Sequence, residues 1–370
     1  MRVLHVYTGN LYGGIETLLV TLARERNLCP AMLPSFLLCF GGRLQQELQQ
    51  AGVPVYQLGE VRVRQPWTVL RARSAMRGIV RNERFDVVIS HSAWPHAIFG
   101  PVARRAGVPL VFWLHNATDG THWLERWARL TPPDMVLANS RFVRATVVGT
   151  YPNCNTVCLY CPVAVNGNKG VNRAEVRAEL ATAPDSTVII QVSRMEPWKG
   201  HELHLHALAR IARDAGWTCW MVGGAQRYEE HEYLQRLRQL AQTLGIGDRV
   251  HFLGQRADVQ RLLLAADIHC QPNLGPEPFG IAFIEGLGAG LPVVTTTLGA
   301  ATEVVTNACG RLVPPANPAA LASALQELVR DPNLRQTLGC AGRMRARLLC
   351  DPSRQLAALH GLLGSLQEKN

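Results

Sequence analysis

The sequence predicts an α/β protein of two tandem Rossmann-like domains that face each other across a cleft. Its 370 residues exceed one ordinary α/β core and suit two domains of about 150–200 residues each. From the N-terminus, short β-branched runs alternate with helix-length amphipathic segments, the pattern of a mostly parallel sheet covered on both faces. That alternation breaks once, at the polar stretch Asn166, Gly167, Asn168, Lys169 and Gly170, and then starts again, which marks this stretch as the linker. With 47% hydrophobic and 18% charged residues and no low-complexity run, a disordered or fibrous chain is excluded.

Taken in order, the strand-like runs of the first half are residues 3–7, 33–40, 53–58, 86–90, 110–115, 135–139 and 156–160. Those of the second half are 188–193, 219–223, 250–253, 268–271, 293–296 and 311–313. The domain boundaries that follow are 1–165 and 166–350, with 351–370 as a C-terminal helix packing back on the N-terminal domain. In such sheets ligands bind beyond the carboxyl ends of the strands, so the strand-end loops are where chemistry is to be sought.

The net charge of +10 is unevenly spread. Residues 1–165 hold seventeen arginines, no lysine and nine acids, whereas residues 166–370 hold twenty-one basic and nineteen acidic side chains. The densest stretch holds Arg62, Arg64, Arg71, Arg73, Arg77, Arg81 and Arg84, with Leu70, Ile79 and Val80 expected as an apolar stripe beside them. Such a surface suits phosphates, anionic lipid headgroups or nucleic acid, or is simply a solvated helix face. No apolar run approaches the ~20 residues of a membrane span, and Met1 leads directly into a strand, so a cytoplasmic protein without a signal peptide is expected, peripheral to the inner face of the membrane. Ten cysteines then read as free thiols, and Cys154, Cys158 and Cys161 alternate across strand faces in a way that does not aim them at one metal ion.

Three strand-end loops carry candidate chemistry. The first runs through Gly9, Asn10, Leu11, Tyr12, Gly13, Gly14, Ile15 and Glu16, where paired glycines before a helix let backbone N–H groups approach a phosphate. In the second, a buried-looking strand ends in Ser193 and Arg194, and a short loop through Trp198 delivers Lys199 just before a helix. Arginine clamps a diphosphate bidentately and lysine adds a point charge, so together they substitute for magnesium. The third contains Glu277, Pro278, Phe279, Gly280, Ile281 and Glu285. Pro278 biases Glu277 away from helical backbone, so Glu277 belongs to a loop and Glu285 to the helix that follows. Helix-start N–H groups around Phe279, Gly280 and Ile281 suit sugar hydroxyls, and a lone carboxylate in an apolar helix suits ribose hydroxyls. His91 and His96, flanking Trp94 after a further strand end, are weighed equally as acceptor contacts and as structural groups.

In this order, these motifs resemble the GT-B glycosyltransferases of family four over nearly the whole chain. The resemblance rests on Gly13 and Gly14, His115, the segment Asn139, Ser140 and Arg141, the run from Val192 to Gly200, Gly223 and Gly224, the segment Phe252, Leu253 and Gly254, and the Glu-x7-Glu element at 277–285. Cys161 departs from the proline that many members have before the pair here at Pro162 and Val163. The resemblance implies an N-terminal acceptor-binding and a C-terminal donor-binding domain. It implies that Arg194 and Lys199 hold the donor diphosphate, Glu277 contacts the donor sugar, Glu285 binds the ribose and His115 lies at the reaction centre. It also implies transfer of a hexose-type sugar from a nucleotide diphosphate sugar to a saccharide or lipid-linked acceptor in polysaccharide or glycolipid synthesis. Configuration would be retained by a front-face reaction, with no metal, no other cofactor and no nucleic-acid partner.

Rival readings are an oxidoreductase, a nucleotide-sugar epimerase, a phosphorylase and a non-catalytic nucleotide-sugar-binding protein. The first expects Gly-x-Gly-x-x-Gly with an acid about twenty residues on, which Gly13 and Gly14 do not supply. A phosphorylase needs a pyridoxal lysine, and Lys169, Lys199 and Lys369 are the only lysines in the sequence. Turnover separates the non-catalytic reading.

Overall fold

A computed structural model describes residues 1–9, 12–164, 170–214 and 216–367. Asn10 and Leu11 of the first glycine loop, and residues 165–169, which include all of the expected linker but Gly170, lie outside the described residues. The chain divides into two compact units, one of residues 1–164 and 350–370, the other of residues 165–349. The C-terminal helix Pro352–Gln367 belongs to the first unit, where it packs near the short turn Arg26–Leu28.

The first unit holds a parallel sheet of β1 (Arg2–Tyr7), β2 (Leu33–Leu38), β3 (Val55–Gln57), β4 (Val87–His91), β5 (Leu110–Leu114), β6 (Met135–Ala138) and β7 (Thr156–Cys158), in the order β3-β2-β1-β4-β5-β6-β7. The second holds β8 (Thr187–Val192), β9 (Trp217–Val222), β10 (Val250–Gly254), β11 (Ile268–Gln271), β12 (Val293–Thr296) and β13 (Gly310–Val313), also parallel, in the order β10-β9-β8-β11-β12-β13. Parallel strands are covered on both faces and need near-continuous apolar runs, which β5 supplies with five buried residues in a row. Alternation along β8 then sorts side chains by face: Ile189 joins one core with Leu205, Met221 and Leu325, while Val188 and Ile190 join another with Trp220 and Leu262. Strand order reverses between β1 and β4 and between β8 and β11, and in open α/β sheets such switch points are where ligands bind.

The arginine-rich helix runs Pro66–Glu83 and corrects one expectation. Val80 is buried and Ile79 packs against the core with Val69, Ala72 and Met76, so of the expected apolar stripe Ile79 and Val80 face inward and Leu70 alone stays beside the arginines. Its exposed face, at spacings of three and four, is Trp67, Leu70, Arg71, Ser74, Arg77, Gly78 and Arg81. Arg73 turns from that face and donates to the Ile98 carbonyl at 2.7 Å. Among the described residues, no helix is long and apolar enough to cross a membrane.

Candidate active site

The second unit sets two of its ion pairs at the β8/β11 switch point. Beyond β8, Arg194 pairs with Glu196 at 2.9 Å, and Glu196 also accepts the Trp198 indole N–H at 2.9 Å. The turn Pro197–Lys199 ends at Gly200, whose φ of +74° and close approach to the Pro272 carbonyl exclude any side chain. This approach brings Lys199 against the end of β11. Its ammonium lies 3.8 Å from the Trp198 ring centroid and donates to Glu277 Oε2 at 2.7 Å. Glu277 sits in the loop before the helix Ile281–Ala289, as its proline neighbour requires, and is 8% exposed. The same Oε2 accepts from Asn273 Nδ2 at 2.7 Å and Gln271 Nε2 at 3.3 Å, so three donors converge on one carboxylate oxygen. From within the sheet, Gln191 donates to the Lys199 carbonyl at 3.0 Å and fixes the turn from below.

Glu285 stands on the helix Ile281–Ala289, half-buried, and among the described residues no hydrogen-bond or ion-pair partner reaches its carboxylate. Burial pushes it up to about 7. Gly280 caps this helix with φ +92°, and Ile281 and Ala282 open it, so their N–H groups lack intrahelical acceptors. The Phe279 side chain is buried, which leaves only backbone groups to meet a ligand there.

In the first unit, the helix Gly14–Arg24 begins with an anion of its own. Glu16 accepts the Gly13 N–H at 2.8 Å and the Tyr7 hydroxyl at 2.7 Å, and it is 3% exposed. The expected phosphate cradle is therefore corrected at Gly13 alone, whose amide is engaged by a buried carboxylate that already complements the helix start.

His115 follows β5 and is 5% exposed; Asn139 Nδ2 donates to its carbonyl at 3.3 Å. Its Nε2 lies 2.9 Å from His91 Nδ1, and His91 Nε2 lies 3.0 Å from His5 Nδ1, so three histidines of adjacent strands form one chain of rings. Burial holds His5 and His115 down at about 3 and His91 well below its ordinary value. His96 is no acceptor contact. Its Nε2–H donates to the Thr131 carbonyl at 2.8 Å, its Nδ1 faces the Ser90 hydroxyl at 2.6 Å, and it is fully buried.

The structure thus brings Lys199 and Glu277 together, sets Arg194 beside Glu196, and places Glu285 on the adjoining helix. His115 stands in the other unit. Sequence reasoning missed Glu196, Asn273, Gln271 and His5. Polar residues at the ends of otherwise apolar strands were the available signal, since a buried amide or imidazole needs a partner.

The family model described as "Glycosyl transferases group 1" matches residues 172–345, and that described as "Glycosyl transferase 4-like domain" matches residues 13–150. A GDP-mannose-dependent alpha-(1-6)-phosphatidylinositol monomannoside mannosyltransferase of Mycolicibacterium smegmatis is 26% identical over 310 residues, spanning 76% of this chain and 78% of its own. A phosphatidyl-myo-inositol mannosyltransferase of Mycobacterium leprae is 39% identical over 155 residues, 41% of this chain and 39% of its own. Among solved structures, HepE of Anabaena in complex with UDP and glucose shares the fold with a TM-score of 0.87 at 24% identity, covering 99% of this chain and all of that one. One family model falls on each parallel sheet, the relatives carry the same activity in their names, and the chain belongs to the group 1 glycosyltransferases.

Proposed function

We propose that this glycosyltransferase is retaining and metal-independent, moving a hexose from a nucleotide diphosphate sugar to a saccharide or lipid-linked acceptor in cell-surface polysaccharide or glycolipid synthesis. The observation that carries the reading is the pair of cations, Arg194 and Lys199, held at the β8/β11 switch point. Each spends part of its donor capacity on a glutamate, and the remaining guanidinium and ammonium N–H groups suit a leaving diphosphate whose charge grows in the transition state. Retention without a covalent intermediate is supported by Glu277, since a carboxylate oxygen accepting from Lys199, Asn273 and Gln271 is a stabilised acceptor and a poor nucleophile. The departing phosphate would then take the proton of the acceptor hydroxyl. A half-buried Glu285 lacking a partner suits ribose hydroxyls.

Relatives named for GDP-mannose and a structural neighbour holding UDP define the donors to try, and relatives named for phosphatidylinositol mannosides support a lipid-linked acceptor. Thermal shift against UDP, GDP and their sugars identifies the donor, because a ligand bound only by the native state raises Tm. Transfer should persist in EDTA and give a product of unchanged anomeric configuration. A firm requirement for added divalent metal, or inversion, overturns the reading.

The chain is further proposed to work at the cytoplasmic face of an anionic membrane. Support comes from the helix Pro66–Glu83, whose outer face sets Trp67 at 66% and Leu70 at 65% exposure beside Arg71, Arg77 and Arg81. Each such arginine contributes about 1 kcal/mol near an anionic surface, which gives reversible binding. Sedimentation with anionic vesicles should fall with salt. Equal partition onto anionic and neutral vesicles, or onto neither, removes the proposal.

A further inference from the structure

The chain of imidazoles under His115 has a direction. His5 lies within β1, His91 ends β4 and His115 follows β5, three strands adjacent in the sheet. The ring centroids are 5.2 Å apart at both links, with the planes inclined by 30° between His5 and His91 and by 10° between His91 and His115, and Phe36 and Trp113 flank them. Directly after His91, Ser92 holds φ +75° and ψ +164°, a backbone state that non-glycine residues rarely adopt and that clusters at functional sites. The buried rings are neutral, so each carries one hydrogen, and every link needs one N–H and one bare nitrogen.

Two arrangements satisfy both links. In one, His5 Nδ1–H donates to His91 Nε2 and His91 Nδ1–H donates to His115 Nε2, leaving the His115 hydrogen on Nδ1. In the other, every bond reverses and His5 must carry its hydrogen on Nε2. Among the described residues, that atom is buried without a hydrogen-bond partner. A buried N–H with no acceptor is rarer in proteins than a bare acceptor with no donor, so the blind end at His5 selects the first arrangement.

We propose that His5 and His91 are positioning residues that fix the proton of His115 on Nδ1, making His115 a hydrogen-bond donor toward the transferred sugar and not a base toward the acceptor. The inference rests on the transferase reading for its consequence alone. A donor at this place stabilises charge on a sugar oxygen and leaves deprotonation of the acceptor to the departing phosphate, with no proton passing into the protein.

Two-bond 1H–15N correlation spectra of the uniformly labelled full chain at neutral pH report which nitrogen of each histidine is protonated, and His115→Gln identifies the His115 signals. The wild type should show Nδ1–H at His115. His91→Phe removes the donor and should move His115 toward Nε2–H while lowering kcat about ten- to a hundredfold with KM little changed. His91→Gln, whose amide can donate to His115 Nε2, should restore Nδ1–H and part of kcat. Nε2–H in the wild type, or an unchanged tautomer in folded His91→Phe, overturns the proposal. If His91→Phe does not fold, the wild-type spectrum still decides. Nδ1–H without transfer from any nucleotide sugar would sink the transferase mechanism and leave the tautomer assignment standing.

Discussion

The two sheets share an ordering of strands around a central switch point, yet they place opposite chemistries there. At β1/β4 the first unit sets His5, His91 and His115, all buried and uncharged. At β8/β11 the second sets two ion pairs, Arg194 with Glu196 and Lys199 with Glu277. The surface charge runs the other way, since residues 1–165 carry seventeen arginines against nine acids and the second half is nearly balanced. Net charge therefore does not locate the charged site. Topology chooses where a site is built, and individual side chains at the strand ends decide what it does.

The contrast breaks most visibly at Lys199. Its side chain and that of Glu277 are 13% and 10% exposed, so Lys199→Ala leaves a buried carboxylate without its cation and should cost about 3–5 kcal/mol of stability as well as activity. Thermal melts of Lys199→Ala against Lys199→Met/Glu277→Gln check it, because the double variant should recover most of the stability and none of the turnover. An unchanged Tm for Lys199→Ala would show that the pair is not a structural unit. Arg194, 30% exposed in its pair, supplies the comparison: Arg194→Ala should lose under about 1 kcal/mol of stability but about a hundredfold in kcat.

A second test uses pH. Glu285 rises in the folded protein from 4.5 to about 7, so the fold favours its protonated form. Its burden on stability is absent below the unfolded value, grows as pH rises toward 7, and is constant above, at about 3 kcal/mol. Glu285→Gln should accordingly be more stable than wild type at pH 8 and equal to it at pH 4, while binding nucleotide more weakly. Equal melting curves at both pH values would place the carboxylate in water. Glu277→Gln should lower kcat chiefly, and matching kinetic losses in the two variants would dissolve the division between them.

The smallest expected effect belongs to the first unit. His5 and His115 titrate at about 3, far below working pH, so His115 should give kcat no inflection between pH 5 and 8. An inflection near 6 that vanishes in His115→Gln would show that the imidazole charges during turnover and would collapse the contrast with the ionic site.

Every strand-like run of the sequence carries a strand, and central ones such as β5 are apolar along their length because they are covered on both faces. The ends were less legible. The run 33–40 stops at Leu38 since Cys39 and Phe40 both donate to the Thr8 carbonyl and turn out of the ladder. Glu277 and Glu285 could be separated by one proline, a local effect on backbone angles. Gly13 could not be read correctly, because whether its N–H is open to an anion depends on where the Glu16 carboxylate folds.

By itself, then, the sequence determined the two α/β units, the strand ends that matter, and the cations and carboxylates available there. These follow from periodicity and from backbone preferences that act within a few residues. Pairing was decided only by the tertiary structure. Lys199 meets Glu277 across 78 positions, and His5 meets His91 across 86, because parallel strands distant in sequence lie side by side at a switch point. No local pattern encodes which of several strand-end side chains will share a hydrogen bond, since that depends on the order in which the sheet is wound.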